Sequence, residues 1–217
     1  MTHAPALSDP VAPTPCVAVV DDDAALRDSL AWLLDSVGLA TRAYADGEAF
    51  LAAAPDAFDA VLLDVRMPGL SGLQVQQRMK ERGDNLPVIF MTGHGDVPMA
   101  VAALKAGAFD FIEKPFNHQQ LIDTVQQALA EHQREREARK RHEALQACYA
   151  ALRPKERQIL VHVAEGMTSR EIAERLGISA KTVEIYRLRA MKALGANNLA
   201  ELVRLCVALG LVSPLPE

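Results

Sequence analysis

From Cys16 onward, short apolar runs alternate with stretches whose apolar positions recur every three or four residues. The runs VAVV (17–20), LATRAY (39–44), AVLLD (60–64), PVIFM (87–91) and AFDFI (108–112) have strand length and predict five strands. Between them the spacing predicts helices over 24–37, near 47–53, over 72–82 and over 97–106, and a fifth opening at Asn117. Runs that are apolar throughout suit strands covered on both faces, and strands separated by helices pair in parallel. The expected fold over residues 16–130 is an α/β domain, a doubly wound five-stranded parallel sheet. Residues 1–15, with Pro5, Pro10, Pro13 and Pro15, read as a disordered tail.

Beyond residue 130 the pattern changes. EHQREREARKR (131–141) has no large apolar residue, but Glu135/Arg139 and Glu137/Arg141 stand at i,i+4. Residues 131–151 are expected to form a solvated helical linker continuing the fifth helix; a coiled-coil seam would need apolar a and d positions that this stretch lacks. After Leu152 the periodicity is purely helical, broken at Gly166, Gly177 and Gly195, which predicts a small all-α domain over 152–217.

Composition narrows the class. At ~150 residues per domain, 217 residues make one large domain or two modest ones. With 50% apolar and 24% charged residues the chain is expected to fold. No apolar run approaches the ~20 residues that cross a bilayer, and the N-terminus lacks a basic start and an apolar core, so a cytoplasmic protein is expected, neither secreted nor membrane-embedded. Cys16, Cys148 and Cys206, odd in number and without CxxC spacing, fit reduced thiols, and the scattered histidines argue against a structural zinc. The net charge of −5 divides unevenly: residues 1–130 hold eight Lys and Arg against seventeen Asp and Glu, residues 131–217 fifteen against eleven. An acidic cation-holding module joined to one that meets polyanions would produce this division, as would two ordinary solvated surfaces.

In open α/β sheets ligands bind beyond the carboxyl ends of the strands. There the chain carries Asp21, Asp22 and Asp23 at the end of the first strand, Asp64 at the end of the third, Thr92 at the end of the fourth and Lys114-Pro115 after the fifth. Gathered carboxylates repel unless a hard divalent cation such as Mg²⁺ neutralises them, while Thr92 offers a hydroxyl and Lys114 a cation to a group with several negative oxygens. Taken singly the same residues have ordinary uses: Asp22 or Asp23 as the cap of the first helix, Lys-Pro as a turn.

In VVDDD, LLDVRMPGLSG, MTGHGD and FIEKPF, residues 16–130 resemble the receiver domain of bacterial two-component response regulators. The resemblance implies that Asp64 is the phospho-acceptor, that Asp21, Asp22, Asp64 and the backbone carbonyl of Arg66 hold Mg²⁺, and that Thr92 and Lys114 bind the phosphoryl oxygens. It implies a switch role for Phe111, whose other reading is a core phenylalanine, and a cis bond before Pro115. Arg66 and His94 would tune the lifetime of the acyl phosphate; the other reading of a loop histidine is a plain solvated side chain.

In the second domain, Ala173, Gly177 and Val183 stand at helix-turn-helix spacing: a small residue for close approach, a glycine in the turn, an apolar anchor beneath the second helix. Ser179 is the expected cap of that helix. Its exposed face would present Lys181, Thr182, Glu184, Ile185, Arg187, Leu188 and Arg189, with Lys181 and Arg187 suited to phosphates or guanine edges and Glu184 and Ile185 to base choice. The stretch 152–212 resembles the NarL/FixJ (LuxR-type) DNA-binding domain, TVEIYR lying nearest the FixJ branch, with Tyr186 where histidine is more usual.

The combination is expected to be a phosphorylation-activated transcriptional regulator rather than an enzyme. Its implied partners are a sensor histidine kinase, promoter DNA, RNA polymerase and, when phosphorylated, a second copy through the 96–106, 108–112 and 117–130 face. A Mg²⁺-dependent phosphatase with Asp64 as nucleophile is the enzymatic rival, but Arg66 stands where its general-acid aspartate would be. A kinase-pathway module that never meets DNA is the other.

Overall fold

The computed structural model describes residues 14–93 and 97–212. They belong to two compact units, Met1–Arg134 and Glu135–Glu217. Of the expected tail, only Thr14 and Pro15 fall among the described residues.

The first unit is a five-stranded parallel sheet in the order β2-β1-β3-β4-β5. Its strands are β1 (Cys16–Val20), β2 (Ala40–Tyr44), β3 (Ala60–Asp64), β4 (Val88–Thr92) and β5 (Asp110–Glu113). They alternate with helices α1 (Ala24–Asp35), α2 (Gly47–Leu51), α3 (Gly72–Arg82), α4 (Val97–Lys105) and α5 (His118–Ala151). Because successive strand residues point to opposite faces, β1 feeds two cores. Val17 and Val19 pack with Leu30 and Leu34 of α1 and Leu121 and Val125 of α5. Ala18 and Val20 join Phe50 of α2, Val75 and Met79 of α3 and Ala103 of α4. Each fully buried Leu, Ile or Val contributes about 1.5–3 kcal/mol of transfer free energy. Both faces of β1, β3 and β4 are therefore closed to water, whereas the edge strand β2 stays largely exposed, and the chemistry of the central strands is left to their ends.

The element ends differ from the periodicity by a few residues, each for a local reason. α1 stops at Asp35 rather than 37, because Gly38 takes a left-handed φ of 77° and Leu39 N–H returns to the Leu34 carbonyl at 3.0 Å. β2 begins at Ala40, and α2 ends at Leu51, followed by a 3₁₀ turn over Pro55–Ala57. β4 begins after Pro87, which lacks an N–H and contributes only its carbonyl, to Val61 N–H at 3.0 Å, and its last residue is Thr92, as expected. β5 begins at Asp110 rather than 108, because Ala108 N–H is spent on the Ala103 carbonyl at 3.0 Å. α4 ends at Lys105, and α5 opens one residue after Asn117, whose side chain accepts from Gln119 N–H at 2.8 Å.

α5 runs unbroken through the expected linker to Ala151, and the division between units falls within it. Its residues from 131 onward are mostly exposed, with Leu145 and Tyr149 packing on the second core. That core, centred on Ile159, Leu160, Ile172, Val183, Leu202 and Cys206, is built by α6 (Pro154–Ala164), α7 (Ser169–Leu176), α8 (Ala180–Leu194) and α9 (Leu199–Ala208).

Candidate functional site

The carboxyl edge of the sheet gathers the residues that the strand ends suggested. Asp21 follows β1, Asp64 closes β3, Thr92 closes β4 and Lys114 follows β5, with Asp64 paired to Met91 and Thr92 to Glu113 in register. Asp21, Asp64 and Thr92 are buried, at 1%, 6% and 4% exposure. The Lys114 ammonium donates to Asp21 Oδ2 at 2.7 Å and to Asp64 Oδ1 at 2.6 Å. The remaining carboxylate oxygens are oriented by backbone: Asp21 Oδ1 accepts from Asp23 N–H at 2.9 Å, Asp64 Oδ2 from Arg66 N–H at 3.0 Å. Lys114 is held in turn by its own N–H, which donates to the Thr92 carbonyl at 2.7 Å, and the Lys114–Pro115 bond is cis.

Burial is the main influence on Asp64 and, with the nearby Asp21 charge, pushes its pKa above the usual carboxylate range, against the pull of Lys114 and the Arg66 N–H. Burial pulls the Lys114 pKa down, but hydrogen bonds to Asp21 and Asp64 outweigh it and hold the ammonium above its ordinary value. The pocket therefore holds a positive charge firmly and the Asp64 carboxylate less comfortably, a balance that suits the arrival of an anion beside Lys114.

Asp22 and Arg66 lie at the rim with exposed side chains, and Asp23, of the two candidates, caps α1 through Ala25 N–H at 2.9 Å. Phe111 is half-buried, pairs with Phe90 and packs against the α2/α3 core. His94 lies outside the described residues.

In the second unit the helix-turn-helix constraints are met. Ala173 and Val183 are buried, Gly177 ends α7 with φ 64°, and the Ser179 hydroxyl caps α8 by accepting from Thr182 N–H at 3.1 Å. The face of α8 is not uniform. Lys181, Ile185, Leu188 and Arg189 are exposed, Leu188 at 63%. Thr182 is half-buried and its hydroxyl is shared with Ser179 at 2.8 Å. Glu184 hydrogen-bonds the Ser169 hydroxyl on α7 and lies 3.8 Å from the Arg187 guanidinium, which is itself half-buried.

Two families match this chain in tandem: "Response regulator receiver domain" over residues 17–126 and "Bacterial regulatory proteins, luxR family" over residues 150–206. The transcriptional regulatory protein FixJ of Bradyrhizobium diazoefficiens is 42% identical over 198 residues, spanning 91% of this chain and 97% of that protein. The C4-dicarboxylate transport transcriptional regulatory protein DctR of Rhodobacter capsulatus is 45% identical over 192 residues, spanning 87% and 98%. Among solved structures, the response regulator StyR superimposes with a TM-score of 0.81 at 38% identity, covering 88% of this chain and 98% of that one. The chain is a response regulator of the NarL/FixJ type.

Receiver domains of response regulators generally bind Mg²⁺ at the phosphorylation site. The residues here fit that ion. The donors are oxygens only, and two buried carboxylates converge within hydrogen-bonding reach of one ammonium, so each approaches a common cation position. Among the described residues no three His, Cys, Asp or Glu side chains form a metal cluster: of the expected carboxylates Asp21 and Asp64 are buried together and Asp22 stays exposed at the rim, and Mg²⁺ keeps several waters of its own. No helix among the described residues is long and apolar enough to cross a membrane.

Two supports of this response regulator's site escaped the sequence pattern. The Arg27 guanidinium donates to the Asp21 carbonyl at 2.6 Å, fixing the loop after β1 from one turn into α1. At Gly72 a Cβ would overlap the Asp64 carbonyl oxygen, so only glycine lets α3 begin so close to the end of β3. Arg27 left no signal, because a single arginine on a helix surface resembles any other; Gly72, beside the capping residue Ser71, was visible only as a helix start.

Proposed function

We propose that Asp64 accepts a phosphoryl group from a sensor histidine kinase, and that the phosphorylated chain dimerises and binds promoter DNA through α8. The convergence of the buried Asp21 and Asp64 carboxylates on Lys114 at the carboxyl edge of the sheet carries this reading. An Asp64 oxygen forms the new bond to phosphorus as the bond to the kinase histidine breaks, and the histidine nitrogen leaves with the electron pair. Lys114 then spreads the negative charge of the equatorial oxygens, and the Thr92 hydroxyl hydrogen-bonds one of them. Asp21, Asp22, Asp64 and the Arg66 carbonyl would hold Mg²⁺, which when bound would supply further charge neutralisation.

Movement of Thr92 toward the phosphoryl group frees space into which the Phe111 ring turns, and so reshapes the face of α4, β5 and α5, where Val101 and Leu104 are exposed at 44% and 38%. That face becomes the dimer surface. Arg66, at the rim, and His94 set the lifetime of the acyl phosphate. On α8, Lys181 and Arg187 serve phosphates or guanine edges, while Glu184 and Ile185 serve base choice; the contact of Glu184 with Ser169 holds the pair in place before DNA arrives. The protein works in the cytoplasm, with RNA polymerase as its further partner.

Selection from random-sequence DNA, with and without acetyl phosphate and Mg²⁺, tests the whole reading alongside sedimentation of the same samples. Expected are a tighter complex on a two-half-site motif and a monomer-to-dimer shift on phosphorylation. Equal affinity and identical sedimentation in the two conditions would refute it.

A further inference from the structure

A cavity of about 290 Å³ opens in the second unit, lined by Cys148 and Ala151 at the end of α5, Arg153 and Glu156 at the start of α6, and Arg189 and Ala193 of α8. A single water needs only about 10–15 Å³ of such space, so there is room for a phosphate group with waters. Arg153 and Arg189 are both exposed, and among the described residues neither guanidinium has a carboxylate partner. Glu156 is buried and already accepts from Arg153 N–H at 2.9 Å. The guanidinium of Arg189 lies 5.9 Å from the Tyr186 ring, on its own helix.

Position on α8 says what such a cavity is for. At 100° per residue, Lys181, Ile185, Leu188 and Lys192 cluster on the side opposite buried Val183, Ala190 and Leu194. Arg189 and Ala193 lie on one flank of that exposed side, and Glu184 and Arg187 on the other, where Glu184 hydrogen-bonds Ser169 of α7. A helix laid in the major groove has a phosphate strand along each flank. The cavity sits on the flank away from α7.

We infer that Arg153 and Arg189 clamp a backbone phosphate of bound DNA at this cavity. The inference rests on α8 being the DNA-reading helix. It adds Arg153, outside the helix-turn-helix, to the contacts, and makes Arg189 a positioning contact that carries no base preference. Two unpaired guanidiniums from different helices meeting one anion give a charge-assisted pair of hydrogen bonds and fix how α8 is rotated in the groove.

The chain carries its own reporter, since Cys148 lines the cavity and is exposed, whereas Cys206 is buried with its thiol pushed up to about 11. Alkylation of the native full-length protein by N-ethylmaleimide is followed by peptide mass mapping, alone, with a random-sequence duplex at low salt, and with inorganic phosphate. The duplex should slow Cys148 alkylation severalfold and leave Cys16 unaffected. An unchanged Cys148 rate on bound DNA, or protection by inorganic phosphate but not by the duplex, overturns the assignment. Arg153→Ala and Arg189→Ala should each lower the slope of log affinity against log salt by about one, and together by about two, with the selected base motif unchanged. Arg153→Lys should restore most of the slope. A full wild-type slope in Arg153→Ala, or a motif altered by Arg189→Ala, would contradict the clamp. If the wild-type protein bound no DNA under any condition, the reading of α8 would fail as well; if it bound and Cys148 stayed unprotected, only the clamp would fail.

Discussion

The two units of this response regulator place their chemistry in opposite ways. In the receiver, Asp21, Asp64 and Thr92 are buried at one sheet edge and tied by hydrogen bonds to Lys114 and the backbone. In the helix-turn-helix unit, Lys181, Ile185, Leu188 and Arg189 project from the surface of α8, and its interior is wholly occupied by holding that helix in place. A buried site is fixed by the fold around it, because misplaced charges there are costly. An exposed site is fixed mainly by its partner, with few contacts such as Glu184 to Ser169 to hold it beforehand. Substitutions should thus disturb the first through geometry and the second through contact alone.

Two glycines sharpen that contrast. In Gly72→Ala the new methyl overlaps the Asp64 carbonyl oxygen and meets the Phe90 ring at 3.0 Å, so backbone must move. A loss of about 1–3 kcal/mol in urea unfolding is expected, together with slower labelling by acetyl phosphate. In Gly177→Ala nothing lies within 4 Å of the new methyl, and the cost comes solely from a left-handed φ of 64°. That change should cost about 1 kcal/mol, and Gly177→Asn less, with DNA contacts unchanged. Equal losses at the two positions, or full labelling in Gly72→Ala, would break the contrast.

A smaller and more local effect is expected at Lys114. Removing its charge in Lys114→Met leaves burial and the Asp21 charge acting on Asp64, both of which raise its pKa. The carboxyl titration of Asp64, followed by NMR in metal-free buffer, should therefore move further upward. The sign for stability follows. The native state holds this proton more tightly than the unfolded chain, so the stabilisation it brings is present at low pH and lost as pH rises through the native pKa. A downward shift in Lys114→Met would show that Lys114 does not act on Asp64 as the geometry requires.

The same contrast decides what was legible in the sequence. Strands buried on both faces left uninterrupted apolar runs, and the residues at their ends, Asp21, Asp64 and Lys114, could be placed together because a parallel sheet brings all its carboxyl ends to one edge. The strand limits were less legible: β4 and β5 are set by Pro87 and by the end of α4, which hydrophobic pattern does not register. On α8 the period gave the helix, and Gly177 and Ser179 gave its turn and cap. It did not give the inequality within the exposed face. Glu184 is tied to Ser169 of α7 and draws Arg187 toward itself, and Arg189 shares a cavity with the end of α5. Arg153 was invisible for the same reason.

The central claim is that Asp64 is the residue through which the chain is switched. Intact and peptide mass spectrometry of wild-type and Asp64→Asn protein after acetyl phosphate and Mg²⁺ tests it most directly, because the amide keeps the shape of the side chain but is a poor nucleophile. One phosphoryl group on wild type, mapped to the peptide containing Asp64, and none on folded Asp64→Asn is the expected result. A phosphoryl group of equal occupancy on Asp64→Asn would contradict the account.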